Sequence, residues 1–170
     1  MLMLISALAL ATSVRPMSIE RLTTESTHIV HAQAIEHHAA WNAEHTRIFT
    51  YTQFRVSQTM KGGAPSVITV KQLGGHADGY DMKVAGVRYW QNGEEAVLFL
   101  QQIPEPGMLA VTGLMQGDFR VSRSTSGEVV VSNGVPEVTQ LGSSGQLQPY
   151  RGAKMTLQEL EQRVQKAGGQ

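Results

Sequence analysis

From Thr27 onward, apolar and polar positions fall into a two-residue repeat. Ile29, His31, Gln33 and Ile35 interleave with Val30, Ala32, Ala34 and Glu36, as in a β-strand with two unlike faces. The stretch Arg47 to Met60, rich in Thr, Tyr, Phe, Ile and Val, is the strongest strand signal. Its length predicts a bend or bulge midway, and Lys61-Gly62-Gly63-Ala64-Pro65 ends it. Val67 to Leu73 is a second clear strand closed by Gly74-Gly75, and Met82 to Trp90 a weaker one. Asn92-Gly93, between Tyr89-Trp90 and the apolar run Ala96 to Leu100, is a strong hairpin cue, since both residues accept positive φ. Ala96-Val97-Leu98-Phe99-Leu100 lacks alternation, which predicts a central strand covered on both faces. Leu109 to Leu114, Phe119 to Ser122 and Glu128 to Ser132 complete the strands, while His37 to Thr46 and residues 133–153 read as loops.

Helical signals stand only at the ends. Ser18 is placed to cap a short turn over Met17 to Leu22, with Met17 stapling to Leu22. Near the C-terminus, Thr156 and Glu159 form a capping box and Met155 pairs with Leu160 as a staple. Leu157, Leu160 and Val164 share one face, so this helix should dock on the sheet. The pattern predicts an all-β fold, a small closed or partly open OB-like barrel of about six to seven strands with a C-terminal helix. The expected organisation is a signal peptide over 1–11, a barrel over 12–135, a flexible linker over 136–153 and the docking helix over 154–170.

Composition narrows the function. Charged residues are 16% of the 170-residue chain, with 14 basic and 14 acidic side chains and no net charge. Nucleic acid and anionic membranes both select for a basic stripe, and the sequence has none. There is no cysteine, which rules out disulfides, thiolate nucleophiles and Cys-type zinc sites. Leu2 to Ala11 is apolar and ends in the small-x-small pattern Ala9-Leu10-Ala11, so the chain is expected to be exported, periplasmic or extracellular. Ten apolar residues are too few to span a bilayer, so no stable membrane insertion is expected once the leader is removed.

Several motifs occur in a telling order: Arg47-Ile48-Phe49-Thr50-Tyr51-Thr52, Phe54-Arg55-Val56, Met60-Lys61-Gly62, Ile68-Thr69-Val70, Gly93-Glu94-Glu95, and Gly113-Leu114-Met115-Gln116-Gly117-Asp118-Phe119. Over roughly residues 28–122 this order resembles a set of exported bacterial β-barrel proteins without an assigned activity. More distantly, the long strand ending in Val-x-x-x-x-Lys-Gly is similar to netrin-like and metalloproteinase-inhibitor domains. The resemblance implies an OB-type barrel. The inhibitors set an N-terminal cysteine on the protease zinc, and the absence of cysteine here keeps that mechanism from carrying over.

Five of the six histidines, His28, His31, His37, His38 and His45, lie near Glu36 and Glu44 in the segment 28–45. Imidazole and carboxylate are good zinc, copper or nickel ligands. Strand alternation nevertheless separates His28 from His31 and His37 from His38, so His37, His38 and His45 remain candidates and no stoichiometric metal is expected. Glu94-Glu95 suggests acid–base work, but alternation sends the two carboxylates apart. Gly142-Ser143-Ser144-Gly145 lacks the strand-turn-helix setting of a nucleophilic serine, and Gly74 to Gly79 suits a turn better than a phosphate or calcium loop. Trp41, Tyr51, Tyr80, Tyr89 and Trp90 are candidates for a ligand-stacking face of the kind OB barrels offer. The expectation is an exported, non-enzymatic binding or interaction module without cofactor, facing a protein or glycan and not nucleic acid. A metal-binding protein using segment 28–45 and a loop-based metalloprotease inhibitor are the alternatives.

Overall fold

The computed structural model describes residues 13–142 and 145–169. The leader expected over 1–11 lies outside the described residues, as do Ser143 and Ser144. In chain order the elements are β1 (Ser13–Val14), α1 (Ile19–Glu25), β2 (His28–Trp41), β3 (Ile48–Lys61), β4 (Val67–Leu73), β5 (Gly75–Ala77), β6 (Tyr80–Met82), β7 (Glu95–Gln102), β8 (Met108–Val111), β9 (Asp118–Arg123), β10 (Val129–Ser132), β11 (Val135–Leu141), β12 (Leu147–Tyr150), β13 (Lys154–Thr156) and α2 (Leu157–Gly168).

Five of these strands close on themselves. β7 pairs with β2, β2 with β3, β3 with β4, β4 with β8, and β8 returns to β7. Within this ring only the β4–β8 contact is parallel. This order, with a parallel join between the third and fifth strands, is that of an OB-type barrel, and closure removes the edges that would otherwise recruit other chains. The expected bend is present: the β2–β3 register slips between Ile29 and Val30, between His31 and Ala32, and between Ala34 and Glu36.

β7 explains its own unbroken apolar run. Ala96, Leu98 and Leu100 point into the barrel beside Val30, Phe54 and Val70. Val97 and Phe99 point outward into a second core with Ile29, Phe119 and Val131. Helices α1 and α2 cover that outer core with Ile19, Leu22, Leu160 and Val164. Both helix starts are as the capping signals predict, with Arg21 N–H donating to Ser18 Oγ and Glu159 N–H to Thr156 Oγ1.

A single edge of β7 serves two strands. β8 occupies it at Leu100 to Gln102, and β9 takes over at Ala96 to Leu98. The handover is a tight turn in which Thr112 N–H donates to the Phe99 carbonyl and Phe99 N–H to the Gly117 carbonyl, each at 2.8–2.9 Å. From there β9, β10 and β13 extend the sheet beyond the ring and carry α2 back over it.

Three expectations are corrected. His37 to Trp41 is strand rather than loop, because Ala39, Ala40 and Trp41 find partners in Thr50, Phe49 and Ile48. Met82 to Trp90 is not a strand: Met82 closes β6, the chain is irregular from there to β7, so Asn92-Gly93 is a turn without a hairpin, and Trp90 plugs the barrel with its ring edge-on to Phe54 at 4.9 Å. Residues 133–153 are not a loop: β11 pairs with β1 and β12, and Val135, Val138 and Tyr150 form a third small core with Met115.

Candidate functional site

The β2–β3 ladder outruns its neighbour. Pairing of β2 with β7 stops at Gln33 opposite Glu95, so the segment from Glu36 through the turn to Gln53 projects as an arm beyond the β7 side of the barrel. Alternation gives the arm two faces. One carries Ala39, Trp41, Ile48 and Thr50, and the β5–β6 hairpin lies on it. Gly75, at φ 137°, permits that approach: a Cβ there would collide with Thr50 Oγ1 and come within 2.9 Å of Ala39 Cβ. The hairpin turns through Asp78 and Gly79, both at positive φ (50° and 81°), so the Gly74 to Gly79 stretch is a turn as its sequence suggests.

At the tip of the arm Trp41 stacks on His45 with centroids 4.6 Å apart and 15° between planes. Tyr80 meets Trp41 edge-on at 5.6 Å and 73°. Asn42 organises the turn that makes this possible. Its Oδ1 accepts from the N–H groups of Thr46 and Arg47 at 2.8 Å, and its Nδ2 donates to Glu44 Oε2 at 2.6 Å. His45 is held at φ 55°, which turns the chain back over the indole. Tyr80 remains 64% exposed, and the indole Nε1 of Trp41 is buried without a hydrogen-bond partner.

The opposite face of the arm carries a cross-strand row. His38 stacks on Tyr51 at 5.2 Å, and the Lys71 ammonium sits 4.3 Å from the Phe49 ring centroid and 5.3 Å from that of Tyr51. Lys71 is also ion-paired with Glu105. Burial works against the Lys71 charge, but hydrogen bonds to Glu105 and Tyr51 prevail and raise its pKa above the ordinary lysine value. This row is internally satisfied, with Tyr51 held between an imidazole and an ammonium.

The five aromatic candidates therefore do not form one surface. Trp41 and Tyr80 make the tip, Tyr51 lies on the reverse face, and Trp90 is fully buried. The Tyr89 hydroxyl donates to the Leu73 carbonyl at 2.9 Å, and burial pushes its phenol pKa up.

The histidines are likewise dispersed. His28 Nδ1 bonds Thr27 Oγ1, His31 faces Glu95, His37 Nδ1 lies 3.2 Å from Asn92 Oδ1, and His76 pairs with Asp81. His37 and His38 take opposite faces, and His45 is spent on Trp41. Among the described residues no three His, Asp or Glu side chains converge as a metal site would.

The carboxylate of Asp118 is buried, and nothing in the local pattern of its sequence announces this. Trp90 Nε1 donates to it at 3.1 Å, Arg120 Nε at 3.1 and 2.9 Å, and Arg88 Nη2 lies 3.5 Å away. Burial pushes the Asp118 carboxyl up, against the pull of the two guanidinium groups and the indole. Glu94 and Glu95 diverge as alternation requires: Glu94 takes the Arg120 Nη1 at 2.6 Å, and Glu95 faces His31 at 3.4 Å.

No protein-family model matches the chain, and no curated protein matches it. No helix among the described residues is long and apolar enough to cross a membrane.

Proposed function

We propose that this chain is an exported, non-catalytic binding module whose barrel presents the Trp41–His45–Tyr80 tip to a protein partner. The observation that carries this reading is the exposure of Tyr80 on a tip held by ring stacking and by the Asn42 turn. Most large aromatic side chains of the fold have structural work: Trp90 fills the barrel, and Phe99 and Phe119 fill the outer core. Tyr80 has none, yet its hairpin and the Asn42 turn fix it against Trp41. Rigid aromatic anchors bind with little loss of conformational entropy, and Trp and Tyr dominate interface hot spots. The commitment of Asp118 and Glu94 to neighbouring arginines favours a structural role for these carboxylates over acid–base chemistry.

Affinity chromatography on immobilised protein, using extract from the native host, tests the reading. A component held by the wild-type chain should be lost from Tyr80→Ala, whose fold is unchanged. Equal retention by both proteins would contradict it.

A further inference from the structure

A concavity lies away from the tip, on the outer face of the sheet next to α2. Its volume is about 350 Å³, at the small end of the range for ligand sites, roughly 300–1,000 Å³. His31, Glu95, Val121, Arg123, Val129 and Leu157 line it.

The register explains why these residues meet. Ala96 lies opposite Arg120, which sets Glu95 against Val121 on the adjoining strand. Phe119, Val121 and Arg123 then alternate onto one face, and Val129 stands opposite Arg123 on β10. Helix α2 covers this face at Phe119 and Val131 but begins only at Leu157. Val121 and Val129 are therefore left half-buried, as an apolar floor.

Charges flank the floor on both sides. Glu95 is 46% exposed, and the largely buried His31 lies with its Nε2 3.4 Å from the carboxylate. Arg123 is exposed on the other side, two residues along β9 from Val121 and so a diagonal neighbour of Glu95, within reach of long side chains. Among the described residues no carboxylate pairs with Arg123, and Glu94, which also borders the cavity, is neutralised by Arg120. One anion, one cation and an apolar floor thus face a space of small-molecule size.

We propose that this cavity binds a small zwitterion with an apolar side chain, an amino acid or dipeptide. The ligand amine pairs with Glu95, its carboxylate with Arg123, and its side chain lies on Val121, Val129 and Leu157. This site is separate from the tip and does not depend on the tip having a partner.

The test is a titration of the full chain with L-leucine, L-leucinamide and 4-methylpentanoate, followed through the methyl signals of Val121 and Val129 and the His31 ring. Leucine should shift all three reporters. Leucinamide, which lacks the carboxylate, and 4-methylpentanoate, which lacks the amine, should each bind at least about tenfold more weakly, the order expected for one lost charged hydrogen bond. Glu95→Gln should weaken leucine and leucinamide and spare 4-methylpentanoate; Arg123→Gln should weaken leucine and 4-methylpentanoate and spare leucinamide. Both positions are exposed, so an amide spectrum unchanged elsewhere verifies the fold of each variant. Absence of shifts with leucine, equal binding of the three probes, or leucine affinity unchanged in both variants would each overturn the proposal.

Discussion

The indole N–H of Trp90 donates to the Asp118 carboxylate at 3.1 Å, tying the irregular segment before β7 to the first residue of β9. That bond joins the plug of the barrel to the strand that leaves it. Arg120 completes the arrangement, with its guanidinium 5.1 Å from the Trp90 ring centroid and bonded to the same carboxylate. Asp118→Ala takes the carboxylate from Arg88 and Arg120, which keep backbone carbonyls and, for Arg120, Glu94, and it leaves the buried Trp90 N–H without its acceptor; it should cost up to about 3–5 kcal/mol, the upper range for removing one partner of a buried pair. Trp90→Phe keeps an aromatic plug but removes one donor, at about 1–3 kcal/mol. Urea denaturation of both variants, read as a shift in midpoint, checks the order.

Gly117 sits where β8 hands the edge of β7 to β9. A Cβ there would lie 2.7 Å from the Thr112 carbonyl oxygen and 2.8 Å from that of Phe99, both of them backbone atoms that cannot swing aside. Gly117→Ala should therefore destabilise by about 1–3 kcal/mol, as overpacking does. Gly63, whose Cβ would meet nothing within 4 Å, is the control, and Gly63→Ala should fall within about 0.5 kcal/mol of wild type. Thermal melts of the pair measure the contrast.

Leu160 is fully buried in the outer core with Ile19, Leu22 and Phe99. Leu160→Ala should cost about 2–5 kcal/mol, the range for a buried leucine truncated in a packed core. Hydrogen exchange should locate the damage in α1 and α2, with the amides of β3 and β4 protected as before. Unchanged exchange in the helices would mean that α2 is not docked.

Glu20 on α1 accepts from Arg163 on α2 at 2.6 Å, and this hydrogen bond holds the Glu20 carboxyl below its ordinary value. A carboxylate with a depressed folded pKa contributes stability above its unfolded pKa and loses it as pH falls through the folded one. The link between the helices should thus be intact at neutral pH and fade in the acid range. Both side chains are substantially exposed, so the contribution is under about 1 kcal/mol. The stability gap between wild type and Glu20→Gln should close as pH is lowered toward acid; a gap independent of pH would contradict this.

Much of the barrel was legible because local pattern and tertiary role agree. The unbroken run Ala96 to Leu100 meant burial on two faces, and both cores use it. Thr156 and Glu159 marked the start of α2 because capping is a local event. Elsewhere the decisive partner was distant. His37 to Trp41 reads as loop alone and becomes strand because Ile48 to Thr52 pairs with it. Val135, Val138 and Tyr150 are too sparse to announce a sheet, and only Met115 and β1 give them a core. The site was legible as a list of aromatic residues but not as a surface. Separating Trp41 and Tyr80 from Tyr51 depends on the arm's two faces, and removing Trp90 depends on the barrel interior. The Glu95–Arg123 cavity gave no signal, since register across three strands assembles it.

The most direct test of the tip as the binding surface is site-specific photo-cross-linking in the native host. One protein carries the photoreactive side chain at Tyr80, and another carries it at Ser66, exposed immediately before β4. The tip reading predicts one discrete cross-linked partner from position 80, none from position 66, and loss of the adduct when Trp41 is also replaced by alanine in a chain that still folds. The same adducts from both positions, or none from position 80, would contradict it.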